Sequence, residues 1–382
     1  MKKFNLSKEL LLNGILIGTL SIGLVSCGGG GGSSSSSTPL PSSMATYLYA
    51  GTDHPNEPII TVYIDGQPVK LLADTGSSGL VVNSSAVNIP SSAMYSSHTI
   101  VTPSGSIIRA MASATVCLNP NITNSCVVMP IDLFTSTSGS PSSTTMEAQG
   151  YFGLASGYHY SSLFSITVFS YPYYLEKQYG INSYTISFYP LSNGYYSDLS
   201  STTPIGQISF GVYNGNSNTL ISYTVNPVGY PSTTVIFPSS TSSTPSFTGH
   251  AVFVSGISYN ILTTEVLQTE IPNFSRSSYE NACFSYTNYI YPFDIVNGGY
   301  SITYSLQNYS GSFQTESFTT EPSSSFCQAG IPFNLMEGIT VGYGPGYIEI
   351  FGLPAMLGHT FTWVLSTSGS NQGLVQGISI NP

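Results

Sequence analysis

Short runs of Val, Ile, Thr, Tyr and Phe alternate along most of this chain with clusters of Ser, Gly, Pro and Asn. Runs of that length and content, punctuated by turn formers, predict strands joined by tight connections. Long stretches of helical periodicity are scarce, so the expected fold class is all-β. Residues 71–82, Leu-Leu-Ala-Asp-Thr-Gly-Ser-Ser-Gly-Leu-Val-Val, read as an apolar strand that delivers Asp74 into a polar turn. Residues 99–114 read as a hairpin with the tip Thr102-Pro103-Ser104-Gly105-Ser106.

The start of the chain has a different pattern. Lys2, Lys3 and Lys8 precede an apolar run from Leu10 to Val25, which stops at Leu24-Val25-Ser26-Cys27. A charged start, an apolar middle and a small-residue stop predict a secretory signal, and the run is short for a membrane span. The ending resembles a bacterial lipoprotein box, which implies cleavage before Cys27, lipid on its sulfur and a membrane partner. Gly28 stands where an aspartate often retains lipoproteins in the inner membrane, so the resemblance points to the outer membrane or cell surface. Residues 28–43 are almost all Gly, Ser, Thr and Pro, a composition that cannot bury a core and reads as a flexible tether. About 340 residues follow, too many for one ordinary core and suited to two lobes. The expected organisation is a leader over 1–27, a tether over 28–43, and β lobes over 44–195 and 196–382.

Composition narrows the partners. The net charge is −10 with only 6% charged residues, which disfavours nucleic acid and anionic lipid as ligands. Of five cysteines, Cys27 belongs to the lipid site. Cys117 and Cys126 flank a turn-rich loop, and Cys283 and Cys327 lie in the second half. In an oxidising compartment, two disulfides are the natural outcome. Five scattered histidines without an HExxH spacing give no metal signal, and no cofactor is expected.

The chemistry rests on Asp74. Gly76 lets the backbone turn back tightly, Ser77 can hydrogen-bond the carboxylate, and Thr75 can reach an opposing turn. Further segments fall in order: Gly150-Tyr151-Phe152-Gly153-Leu154-Ala155, Tyr184–Tyr189, Gly206–Gly211, residues 251–262, and Ile350–Gly358. Their order and spacing resemble the pepsin-like aspartic peptidases. With the lipoprotein box, the tether and the DTGSSGL motif, the layout also resembles a bacterial lipoprotein family within that group. The resemblance implies a bilobal fold with a cleft between the lobes, a catalytic role for Asp74, a flap at Thr102, Ser104 and Gly105, and a Cys283–Cys327 disulfide in the second lobe.

One departure governs the expected function. Where the resemblance puts a second aspartate, the turn Val254-Ser255-Gly256 has valine. Peptide hydrolysis by a carboxylate pair needs one proton shared between two acids, so that one activates water while the other polarises the carbonyl. Val254 can do neither. The expectation is a catalytically impaired protein that binds a peptide or another polymer. The alternative is an acid endopeptidase that draws its second carboxylate from elsewhere, such as Glu265.

A surface made of Ser, Thr, Asn and Tyr gains little charge on acidification, which suits an acidic exterior. The melting temperature should therefore change little between about pH 7 and about pH 3, measured by circular dichroism; a collapse over that range would contradict the acid reading.

Overall fold

The computed structural model describes residues 44–50, 58–102, 105–136, 148–155, 158–161, 165–190, 204–225, 231–238, 246–256, 260–263, 266–267, 270, 275–278, 293–297, 301–319, 335–338 and 348–381. The leader with Cys27, the tether over 28–43, Ser104, Glu265, Cys283 and Cys327 lie outside these residues. So does most of the expected lobe boundary near residues 190–204.

Eight strands of the first half lie together in one sheet: β1 (Ala45–Ala50), β2 (Pro58–Ile64), β3 (Gln67–Asp74), β4 (Leu80–Asn83), β5 (Met94–Thr102), β6 (Gly105–Cys117), β7 (Cys126–Ser136) and β8 (Gly150–Gly153). They lie side by side in the order β1-β2-β3-β8-β4-β7-β6-β5. Local chemistry sets the turns. Ile64 pairs with Gln67, leaving Asp65 and Gly66 at φ 46° and 79°, where an Asp-Gly pair is the favoured occupant of a two-residue hairpin turn. Cys117 and Cys126 face each other where a short loop joins β6 to β7 and form a disulfide with Cα atoms 4.0 Å apart.

The sequence placed an apolar strand behind the Asp74 turn, and β8 occupies that place. It runs parallel to β3, with Asp74 opposite Gly153, and antiparallel to β4, with Phe152 opposite Leu80. Its glycines are required by close approach. A Cβ on Gly153 would lie 2.3 Å from the Gly79 carbonyl oxygen and 2.5 Å from that of Ser77.

Two-residue alternation divides this sheet into two faces. Ala73, Phe152, Leu80, Val82, Ile131, Leu133, Ala110 and Ala112 share one face and join the core. The helix Tyr171–Tyr179 packs there, started by Pro172 and ended by Gly180 at φ 67°. Tyr171 sits 5.1 Å from the Phe152 ring and donates its hydroxyl to the Ser125 carbonyl at 2.5 Å.

The second half repeats the arrangement around its own turn. Phe247–Phe253 runs parallel to Ile348–Phe351, with Phe253 opposite Phe351. Ile348–Phe351 in turn pairs antiparallel with Asn260–Thr263. These strands belong to a ten-stranded sheet. A further group extends the first sheet to thirteen strands: Ser183–Phe188 pairs with Pro204–Gly211 and with Thr360–Leu365, which pairs with Val375–Asn381, and that strand pairs in turn with Ile221–Ser222. The all-β class expected from the sequence is the one observed. The hairpin expected over 99–114 is longer, running from Met94 to Cys117, because β5 pairs with β6 from Thr102–Gly105 back to Met94–Ala112.

Trp363 locks the joining strands to the first half. It is buried and stacks on Tyr184 at 4.9 Å, and the Tyr184 hydroxyl donates to the Leu154 carbonyl at 2.6 Å. Trp363→Ala should cost about 3–5 kcal/mol, read as a lowered urea midpoint by far-UV circular dichroism; an unchanged midpoint would show that this stack holds nothing together.

Candidate active site

Strand β3 ends at Asp74, which is 2% exposed. The turn after it folds back over the carboxylate. Gly76 N–H donates to Oδ1 at 2.8 Å, the Ser77 hydroxyl donates to Oδ2, and Gly256 N–H adds a bond from the opposite turn. Burial pushes the Asp74 carboxyl above its ordinary value, and these three donors offset the shift only in part. No other carboxylate among the described residues is hydrogen-bonded to it.

The two turns are interlocked by four buried hydrogen bonds. Thr75 Oγ1 donates to the Phe253 carbonyl at 2.7 Å and accepts from Ser255 N–H at 2.9 Å. Ser255 Oγ donates to the Ala73 carbonyl at 2.7 Å and accepts from Thr75 N–H at 3.1 Å. Each hydroxyl donates once and accepts once, so the exchange is reciprocal and both side chains are satisfied in a dry setting. The reach expected of Thr75 and the contact expected of Ser77 are both present.

Val254 stands at the end of Phe247–Phe253, as Asp74 stands at the end of β3. Its N–H donates to the Phe351 carbonyl at 2.8 Å, just as Leu154 N–H donates to the Asp74 carbonyl at 2.7 Å. The valine methyls close over the first turn: a Cβ on Gly76 would lie 2.5 Å from Val254 Cγ1. Gly256 presses equally closely on the carboxylate, since a Cβ there would lie 2.7 Å from Asp74 Cγ. Where a two-acid site would have its second carboxyl, this protein has an apolar contact.

Of the residues expected in a flap, Thr102 and Gly105 pair across the end of the β5–β6 hairpin. Two residues, Pro103 and Ser104, separate them in the chain and lie outside the described residues. Among the described residues, no group of three His, Cys, Asp or Glu stands close enough to hold a metal ion.

The structure also brings forward residues to which sequence reasoning gave no site role. On the sheet face opposite the core, Leu72 and Tyr151 are register partners, as are Tyr151 and Val81, Val81 and Asp132, and Asp132 and Met111. Asp74 and Arg109 share that face by two-residue alternation from Leu72 and Met111. Arg109 forms a two-pronged pair with Asp132, Nε to Oδ1 at 2.8 Å and Nη2 to Oδ2. Glu349 is buried in the second half, where it accepts from Thr263 N–H at 2.7 Å and Thr263 Oγ1 at 2.8 Å.

No protein-family model matches the chain, and no curated protein matches it. Among solved structures, the fold is similar to that of the aspartic proteinase from Irpex lacteus. The TM-score is 0.51 at 16% sequence identity, covering 88% of this chain and 97% of that one. The fold is thus the bilobal, all-β fold of the pepsin-like proteinases.

A raised Asp74 has a definite consequence for stability. The folded state holds the proton above the pH at which the unfolded chain, near its ordinary value of 3.8, releases it. The folded state is therefore favoured below that value and loses stability as pH rises toward the folded-state pKa. Asp74→Asn keeps the shape, can turn its NH2 toward Ser77 Oγ, and removes the titration. Its melting temperature should exceed that of the unsubstituted protein at neutral pH, with the gain shrinking as pH falls toward about 4 and levelling off below it. A gain that does not vary with pH would show that burial does not hold the proton on Asp74.

Proposed function

We propose that this protein is a peptide-binding member of the pepsin-like fold, exported and held to the cell envelope by lipid on Cys27, with hydrolysis lost. The observation that carries the reading is the interlocked pair of turns with Val254 in place of a second acid. The scaffold that positions two carboxylates is complete, down to the reciprocal bonds of Thr75 and Ser255. Only the group that would share the proton is missing.

The chemistry follows from that one side chain. An attacking water needs a base, and the carbonyl oxygen needs an acid beside it. Asp74 can act as one or the other but not both, and burial favours its neutral form. Loss of one acid–base partner removes roughly 10²–10⁴ of rate. What remains is a buried carboxyl flanked by backbone donors, within a fold whose cleft suits an extended chain. Many of the 28 tyrosines combine an apolar ring with a polar tip, which suits contact with such a chain. The leader, the Cys27 box and the Gly/Ser tether support placement at the outer membrane or cell surface.

The full chain incubated with a denatured protein at pH 3–5 should give no fragments on an electrophoresis gel. Fragments that disappear in Asp74→Ala would overturn the binding reading in favour of an acid endopeptidase. Val254→Asp replaces two methyls with a carboxyl of similar overall size and puts a second acid across from the first. It should gain cleavage at acid pH that is blocked by pepstatin.

A further inference from the structure

Beyond its leader and tether this chain has four cations, Lys70, Arg109, Lys177 and Arg276. Two of the four, Lys70 and Arg109, stand on the sheet face that carries Asp74, and Arg109 is paired with Asp132. A partly buried ion pair is a poor stabilising device, because desolvation of both charges offsets their attraction and an apolar pair of similar volume does as well or better. The Arg109–Asp132 side chains are 19% and 13% exposed. Tyr151 occupies the strand between β3 and β4 and is half-buried on the same face. Its hydroxyl feels Arg109, Asp132 and Asp74 together, which places it between the ion pair and the candidate catalytic carboxyl.

From these residues we infer a polar recognition subsite, made by the Tyr151 hydroxyl with the Arg109–Asp132 pair, that selects a neutral hydrogen-bonding side chain, a carboxamide above all, on an extended peptide. The inference rests on the peptide-binding reading above. Register gives the spacing. Tyr151 is one strand across and two residues along from Asp74, about 8 Å between backbones, and Asp132 is three strands across, about 16 Å. An extended ligand repeats a side chain on one face every ~6.7 Å, so a chain passing Asp74 brings a nearby side chain over this row.

The donor and acceptor inventory sets the class. Arg109 has five N–H groups, of which two point at Asp132. The Asp132 oxygens keep acceptor capacity, and the Tyr151 hydroxyl both donates and accepts. A carboxamide supplies a matching acceptor and donor in one plane. An alkyl group would cover these polar atoms and leave them unpaired, which is the costly case. An anionic side chain would meet Asp132 beside its arginine, and a cationic one would meet Arg109. His98 pairs with Arg109 across β5 and β6 and is exposed on that face.

The test uses the full chain and fluorescein-labelled decapeptides in which one position at a time is Gln, Leu or Glu, read by fluorescence anisotropy at neutral pH. At one position, Gln should bind about tenfold more tightly than Leu or Glu. The double variant Arg109→Met, Asp132→Leu removes both charges together and leaves neither unpaired. It should erase the preference for Gln. Tyr151→Phe, which deletes a single oxygen, should reduce the Gln preference severalfold and provides the same readout if the double variant does not fold. Equal affinity for all three side chains at every position, or a preference that survives both variants, overturns the inference and leaves the cleft reading standing. Failure of every peptide to bind overturns the cleft reading and this inference with it.

Discussion

Two hydroxyls hold this molecule's centre in place. Thr75 and Ser255 each donate to the carbonyl before the opposite turn and accept from the opposite backbone N–H. All four groups are buried, so each bond lost would leave a polar atom dry and unpaired. The exchange fixes the two turns face to face, which brings Gly256 against the Asp74 carboxyl and Val254 against Gly76. Neither glycine could be replaced without parting the turns. The geometry of the two turns thus follows from a constraint that does not involve the side chains of Asp74 or Val254.

That separation explains the two sides of the site. The turn residues serve backbone geometry. Val254, at the matching place in the second turn, packs against Gly76. With no second carboxylate hydrogen-bonded to Asp74 among the described residues, there is no like-charge repulsion to stabilise a shared proton. Burial is the largest influence on Asp74, and it favours the neutral carboxyl. A neutral acid in a dry place donates a hydrogen bond and does not attract a cation.

The sequence exposed those parts of the site whose chemistry needs particular residue types in a row. Asp74 to Ser77 were legible because a tight turn around a carboxylate requires a glycine and short hydroxyl side chains at those positions. The Gly150–Ala155 segment was legible because its glycines permit backbone contact on both sides. The helix Tyr171–Tyr179 was hidden by its own composition, since its tyrosines favour strands as single residues. Its signals were Pro172 at the start and Gly180 at the end, caps without an apolar stripe between them. Arg109, Asp132 and Tyr151 were hidden for another reason. Each lies on a different strand, and only the register of β6, β7, β4 and β8 brings them together. The Cys117–Cys126 bridge was readable because a short turn-rich loop leaves few other partners.

Strand order also sets a schedule for folding. The strand Ser183–Phe188 pairs with Thr360–Leu365, and Thr185 meets Thr362, 177 positions further along the chain. That neighbour is synthesised long after the strand it covers. Until it arrives, the edge of Ser183–Phe188 is open, and the bed for Trp363 on Tyr184 is empty. Long-range closure of this kind is slow and exposes unpaired edges meanwhile. A product that stopped short of residue 360 would leave that edge uncovered and prone to cross-pairing with its neighbours, so Thr360–Leu365 and Val375–Asn381 act as a clasp on the strands made long before them.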